Sequence, residues 1–99
     1  MIHQSRDDLA AVLDSIHSGD EVRFHYNARV GIYSITGPCL VNREDKVFYV
    51  GGRYLLSDKK VSIIGRPEKV DRTSVLVAEI LRTKAEVETE LNMIDERSS

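Results

Sequence analysis

Several residue types are scarce in this sequence, and each shortage narrows the range of functions. The 99 residues include no tryptophan, one cysteine, two prolines and six aromatic side chains. A single cysteine excludes an internal disulfide, so we expect a reducing, cytoplasmic location. No apolar run approaches the ~20 residues that a membrane span needs, and neither a leader pattern nor a lipidation motif is present. The sequence therefore predicts no membrane association.

A surplus of charge of one sign is also lacking. Fourteen Lys and Arg stand against sixteen Asp and Glu, which leaves a net charge of −2. This balance excludes a protein that coats nucleic acid through a general basic surplus. Hydrophobic residues make up 41% and charged residues 30% of the chain. These proportions indicate one globular domain over residues 1–99 rather than a disordered chain.

Signatures of catalysis are missing as well. His3, His17 and His25 do not have the spacing of a metal site, and zinc needs three or four convergent ligands. Cys39 follows Pro38 in a strand-like run, which is typical of a buried small apolar residue. There is no Gly-x-Ser-x-Gly elbow, dinucleotide-binding glycine motif or phosphate-binding loop. The sequence predicts a protein that is not an enzyme and has no catalytic residue, metal or cofactor.

The residues that are present divide the chain into three parts. All six aromatic residues, both prolines and all glycines but one lie in the middle, between flanks rich in Ala, Leu and Glu. Net charge follows the same division, at −2 for residues 1–19, +3 for 20–72 and −3 for 73–99. The composition predicts an N-terminal helix in 1–19, strands in 20–66, and a C-terminal helix and tail in 67–99.

The first helix has clear start and stop signals. Ser5 is placed to cap it, with Asp8 three residues on as in a capping box. Apolar residues then recur at spacings of three and four, namely Leu9, Val12, Leu13 and Ile16. Gly19 stands where a left-handed C-cap is expected. The pattern predicts a helix over residues 6–18.

The middle segment predicts short antiparallel strands joined by tight turns. Gly51-Gly52 is typical of a hairpin turn, which would place Phe48 and Val50 beside Leu55 on one face. Both faces of this hairpin are mostly apolar, and a barrel has one interior, so the second face needs a cover. Leaving it in water would cost several kcal/mol, at ~1.5–3 kcal/mol for each large apolar side chain. The five predicted strands are residues 21–27, 30–41, 47–50, 53–56 and 61–64.

In length and strand order this segment resembles a small SH3-like or Sm-like β-barrel. The resemblance is carried by the entry sequence Gly19-Asp20-Glu21-Val22-Arg23-Phe24, the Gly51-Gly52 turn and the closing Val61-Ser62-Ile63-Ile64-Gly65. It covers about half of the chain and concerns architecture rather than a motif-defined family. The fold class it implies is α+β, with a five-stranded antiparallel barrel between two helices. Such barrels bind peptides, nucleic acid or one another, so the fold alone transfers no function.

The C-terminal segment has an apolar heptad repeat. Counted from Val70, the two seam positions are apolar except at Thr73 and Lys84, which predicts a long amphipathic helix. This helix would be ~30 Å long from residue 75 to 94. It would pack either on its own barrel or on that of a neighbour. The seam residues predicted to make this contact are Val77, Ile80, Val87, Leu91 and Ile94.

These features favour a protein-interaction or regulatory module that self-associates. The predicted contacts are the helix seam and the apolar sheet face of Phe48, Val50 and Leu55. The partners would be other copies of the chain and an unidentified protein, as expected of a small regulator, an assembly subunit or a mobile-element protein.

The alternative interpretation is a small barrel that binds single-stranded nucleic acid, RNA or DNA. Basic residues in the middle segment are interleaved with aromatic ones, and such surfaces hold phosphates and stack bases. The predicted nucleic-acid contacts are His25, Arg29, Arg43, Lys46, Arg53, Tyr54, Lys59 and Lys60.

Overall fold

The computed structural model describes residues 5–98, with side chains over residues 5–95. It confirms an α+β fold, with two helices and seven strands in the described range. In chain order these are α1 (Arg6–Ser15), β1 (Glu21–Ala28), β2 (Gly31–Asn42), β3 (Val47–Val50), β4 (Arg53–Ser57), β5 (Lys60–Ile64), β6 (Glu68–Asp71), β7 (Val75–Arg82) and α2 (Lys84–Ser98). A single 3₁₀ turn, Arg72–Ser74, links β6 to β7.

The strands form one antiparallel sheet of five strands and a separate pair. The sheet has the order β6-β3-β2-β1-β7, and within residues 5–98 β4 pairs with β5 alone. The predicted strands at 21–27, 30–41, 47–50, 53–56 and 61–64 are therefore confirmed, while β6 and β7 are additional. The sheet is not closed, so the closed five-stranded barrel implied by the resemblance is not formed.

The core lies between one face of the sheet and α1. On β1, Val22 and Phe24 are fully buried, and Phe24 meets Phe48 edge to face with ring centroids 5.2 Å apart. From α1 and the turn after it, Leu13 and Ile16 join the same cluster. Alternate residues of a strand share a face, so β1 presents its even-numbered side chains to the core and its odd-numbered ones away from it.

Helix α1 begins as predicted and ends earlier. The Ser5 hydroxyl accepts a hydrogen bond from the Asp8 amide at 3.1 Å, which confirms the N-cap. The helix stops at Ser15, so the prediction that Gly19 caps it was wrong. Gly19 instead lies in a turn into β1, where its φ of +106° is unfavourable for other residues.

The predicted C-terminal helix was wrong over its first half. Val77 and Ile80 lie on β7, which pairs with the central strand β1, and helix α2 begins only at Lys84. A run of β-branched residues suits a strand, and β1 needs a second neighbour for its backbone groups. The start of α2 is a reciprocal capping box, in which the Glu86 amide donates to the Thr83 hydroxyl and the Thr83 amide donates to the Glu86 carboxylate.

The predicted hairpin at Gly51-Gly52 was also wrong. β3 pairs with β2 and β6, and the two glycines lead the chain out of this sheet into β4. A Cβ on Gly52 would lie 2.3 Å from the Ile64 carbonyl oxygen, so the bend admits only glycine there. Because β3 and β4 do not pair, Phe48 and Val50 are core residues that are 2% and 0% exposed, whereas Leu55 is 47% exposed.

Helix α2 packs on strands of its own chain. It contacts β4, β5 and β7, and its Val87 is fully buried. The Asn92 side-chain amide donates to the Lys59 carbonyl in the turn between β4 and β5. Arg82, at the end of β7, pairs with Glu21 of β1 and with Glu90 of α2. Of the two arrangements that the sequence left open, α2 thus adopts packing on its own chain.

Candidate interaction surface

The buried polar groups of the molecule have structural partners. Asp20, 4% exposed, accepts hydrogen bonds from the backbone amides of His17 at 2.9 Å and Lys84 at 3.1 Å. Burial, with a smaller effect of the Asp20 carboxylate, raises the pKa of the Cys39 thiol to about 12. A protonated, fully buried thiol is not a nucleophile. Within residues 5–98, no cluster of three or more His, Cys, Asp or Glu side chains is suited to a metal ion.

A cavity of about 250 Å³ lies between the end of α1 and the β2–β3 turn. Two of its basic side chains are already engaged within the chain. Arg43 donates to the carbonyls of Asp14 and Ile16, and Arg72 pairs with the Asp14 carboxylate at 2.6 Å. The Arg43 bonds satisfy carbonyls at the end of α1 and the Arg72 pair holds its last turn, so we assign Arg43 and Arg72 a structural role.

The backbone of β2 points alternately to its two sides. The Cys39 amide donates to the Asp20 carbonyl and the Val41 amide to the Ser18 hydroxyl, both on the β1 side. The Pro38 carbonyl, in contrast, accepts from the Gly51 amide on the β3 side. Backbone groups of a strand alternate in direction, so even-numbered residues of β2 point away from β1.

Only part of β2 has a neighbour on that second side. β3 pairs with residues 39–42 of β2, and the chain then leaves the sheet. On the other side, all of β1 pairs with residues 31–38 of β2. Among the described residues, no strand pairs with residues 31–36 on the side away from β1. We call these six residues the open edge. Its outward backbone groups belong to Ile32, Ser34 and Thr36.

Pro38 marks the point at which this edge begins. Proline has no amide hydrogen to donate, and its nitrogen points to the side of β2 on which the pairing with β3 ends. Pro38 therefore lies at the boundary between the part of β2 that pairs with β3 and the part that does not. Beyond it, toward the tip of the β1–β2 hairpin, each outward residue has both an amide and a carbonyl to offer.

Apolar side chains are exposed along the open edge and at the tip. Val30 is 82%, Ile32 65% and Tyr33 47% exposed. Ile32 lies on the sheet face away from the core, as Ser34 and Thr36 do, while Tyr33 is on the core face beside Tyr26, with ring centroids 6.4 Å apart. The hairpin therefore exposes apolar surface on both faces as well as along its edge.

The open edge has none of the charges that usually protect such edges. Residues 30–42 contain no Asp, Glu, Lys or Arg in a chain that is 30% charged. The strand β6, at the border of the same sheet, has three charged residues among its four, namely Glu68, Lys69 and Asp71. Natural proteins block unwanted strand pairing with charge, proline or bulges. β6 follows this rule, and the open edge does not.

The predicted helix seam is divided between two elements. Val77 and Ile80 are half-buried on β7, Val87 is buried under α2, and Leu91 is half-buried. Only Ile94 of this set is largely exposed, at 61%. The structure therefore does not bring the five residues together into one apolar helix face.

The predicted nucleic-acid contacts are spread over the molecule. Arg29 lies at one end of β2, and Arg43 and Lys46 lie beyond its other end, roughly 40 Å away at ~3.3 Å per residue. Lys59 and Lys60 lie at the β4–β5 turn, and Arg53 at the start of β4. His25 is half-buried on β1, and the Tyr54 hydroxyl donates to the Gly19 carbonyl at 2.6 Å. The eight predicted residues therefore do not lie together on one surface.

The open edge was missed by the sequence interpretation, although one signal for it exists. The longest uncharged stretch of the chain, residues 30–42, coincides with β2. The exposure of that strand depends on where β3 ends, and no local pattern in β2 shows this.

Comparison with known proteins gives no relative. No family model, no curated protein and no solved structure matches the chain. In residues 5–98, neither helix has the length and apolar character needed to cross a bilayer.

Proposed function

We propose that this protein is a non-enzymatic interaction module that binds a protein segment in extended conformation by adding it as a strand to the open edge. The observation that carries the proposal is the unpaired side of β2 over residues 31–36, next to exposed Val30, Ile32 and Tyr33. Strand addition is a common mode of peptide recognition, in which backbone hydrogen bonds give affinity and alternate side chains give specificity.

The backbone supports this mode of binding. Ile32, Ser34 and Thr36 together present three amides and three carbonyls in the direction of a missing neighbour. An added strand would form a regular ladder with them and would abut the end of β3 at Gly51. The rigid pairing of β1 with β2 holds these groups in place before binding, which lowers the entropic cost of ordering them.

The side chains support it as well. A strand lying beside residues 31–36 would cover part of Ile32 on one face and of Tyr33 on the other. Burial of apolar surface contributes ~25 cal/mol for each Å² removed from water. Since the edge has no charge, the favoured ligand is an uncharged, apolar extended segment rather than a phosphate backbone or an acidic peptide.

Peptide selection tests this proposal. Random peptides of about ten residues, enough to span the open edge at ~3.3 Å per residue, are displayed on phage and selected on the wild-type protein. Selected peptides are then measured by fluorescence anisotropy against wild type, Ile32→Lys and Ile94→Lys. We expect Ile32→Lys to weaken binding about tenfold or more, and Ile94→Lys, an equally exposed isoleucine on α2, to leave binding unchanged.

Methylation of peptide amides makes the test specific for strand addition. An added strand donates only every second amide to β2, so N-methylation at one parity should abolish binding while the other parity is tolerated. Peptides that bind Ile32→Lys as well as wild type would contradict the proposal. The same holds if methylation at both parities is tolerated.

A further inference from the structure

We infer that the natural occupant of the open edge is the open edge of a second copy of this chain, paired antiparallel about a two-fold axis. This inference deepens the proposed function and rests on it. Two β2 strands would then join two five-stranded sheets into one continuous sheet. Three features of the described residues favour a second copy over a different protein.

The first feature is the self-complementarity of the edge. Outward residues of one antiparallel strand pair with outward residues of the other. In the register that uses all three of them, Ser34 lies on the axis opposite its own copy, and Ile32 lies opposite Thr36 on both sides. Each copy thus donates and accepts the same set of backbone hydrogen bonds, as a two-fold interface requires.

The second feature is the absence of charge. The residue on a two-fold axis faces its own copy, and any charge beside the axis is repeated as a like charge across it, so charged residues there would repel. Residues 30–42 contain no charged side chain. Ser34, the residue at the axis, has a hydroxyl that both donates and accepts, so two copies can hydrogen-bond to each other.

The third feature is the distribution of exposed apolar surface. Val30, at 82% exposed, and Ile32, at 65%, lie at and beside the hairpin tip. In the antiparallel arrangement the tip of one copy lies against the β3 end of the other's open edge. Each copy therefore covers the apolar tip of the other, whereas a short unrelated peptide would cover the tip of one copy only.

Sedimentation equilibrium over a dilution series tests the inference. We expect the wild type to form a dimer that dissociates on dilution, and Ile32→Lys to raise the dimer dissociation constant about tenfold or more. Ile94→Lys is the matched control, because this isoleucine has the same chemistry and nearly the same exposure, 61% against 65%. Circular dichroism and unfolding curves of each variant show that the fold is kept.

Amide hydrogen exchange read residue by residue locates the interface. In the dimer the amides of Ile32, Ser34 and Thr36 should become protected as concentration rises. Those of Tyr33 and Ile35 point toward β1 and should be protected at every concentration. A concentration-dependent rise in protection at all three outward amides is the expected result, and unchanged exchange at these amides in the dimer would contradict pairing through the open edge.

The outcomes separate this inference from the proposed function. A monomer at all concentrations that still binds selected peptides through residues 31–36 would overturn the dimer and leave the interaction module standing. A dimer that survives Ile32→Lys and is lost in Ile94→Lys would place the interface on α2, contrary to the inference. A monomer for which no peptide discriminates Ile32→Lys from wild type would contradict both.

Discussion

Cys39 shows how burial makes a potentially reactive side chain inert. Cys39 is fully buried in the core, out of contact with bulk solvent and near the Asp20 side chain. Both effects disfavour the thiolate and raise the pKa of the thiol from its ordinary value of 9.0 to about 12. In the unfolded chain the thiol ionises near its ordinary value, so the two states bind protons differently in alkaline solution.

The sign of the resulting pH effect follows from linkage. Below pH 9 the thiol is protonated in both states, and its contribution to the free energy of unfolding is fully present. Between pH 9 and about 12 only the unfolded state loses the proton, so this contribution falls as pH rises. We expect the stability difference between wild type and Cys39→Ala, from urea unfolding at pH 7 to 11, to shrink above pH 9. A constant difference would show that the thiol is accessible to water.

At the scale of elements, the start of α2 depends on Thr83 and Glu86, each of which accepts a hydrogen bond from the other's backbone amide. Removing the Thr83 hydroxyl leaves the Glu86 amide without its partner, and loss of an N-cap costs about 1 kcal/mol. We expect Thr83→Ala to lower the free energy of unfolding by this amount in urea titrations. Thr89→Ala is the control, because its hydroxyl bonds only to the Ala85 carbonyl inside the same helix. Equal effects of the two substitutions would contradict a capping role.

The same cap should respond to acid. Hydrogen bonds from the Thr83 backbone and hydroxyl lower the pKa of the Glu86 carboxyl from its ordinary 4.5. A lowered pKa in the folded state means that the contribution is present above 4.5 and is lost as pH falls through the folded value. The difference in free energy of unfolding between wild type and Glu86→Gln, measured by urea titration, should therefore narrow in acid.

These elements show which parts of the fold the sequence could predict. The Ser5 cap and the short strand-like run 21–27 act within a few residues, and they correctly predicted α1 and β1. Val77 and Ile80 fit both a heptad and a strand, and the outcome was decided by β1, more than fifty residues earlier in the chain. The open edge could not be predicted, because it exists only where β3 fails to follow β2.

At the scale of the whole molecule, Asp20 joins parts that are distant in sequence. Its carboxylate binds the His17 amide in the turn after α1 and the Lys84 amide at the start of α2, while its carbonyl accepts from Cys39. We expect Asp20→Ala to lower the free energy of unfolding by about 2–3 kcal/mol, as loss of hydrogen bonds to a buried charge does. Thermal and urea unfolding measure this loss.

Asp14→Ala provides the comparison for that experiment. The Asp14 side chain is 64% exposed and pairs with Arg72 at the surface. Exposed ion pairs contribute about 0–1 kcal/mol, so this variant should be close to wild type. If both aspartate variants lose the same stability, the joining role of Asp20 is wrong.

The pairing of β7 with β1 has a consequence for the way this chain is made. Glu21 and Arg82 lie beside each other in the sheet although they are 61 positions apart in the sequence. During synthesis β1 and β2 can form their hairpin early, but β1 has no second neighbour until β7 has left the ribosome. Over that interval both outer edges of the nascent hairpin have unpaired backbone groups, instead of one edge. Premature contact between neighbouring nascent chains is then a hazard, and slow translation of the segment before β7 would prolong it.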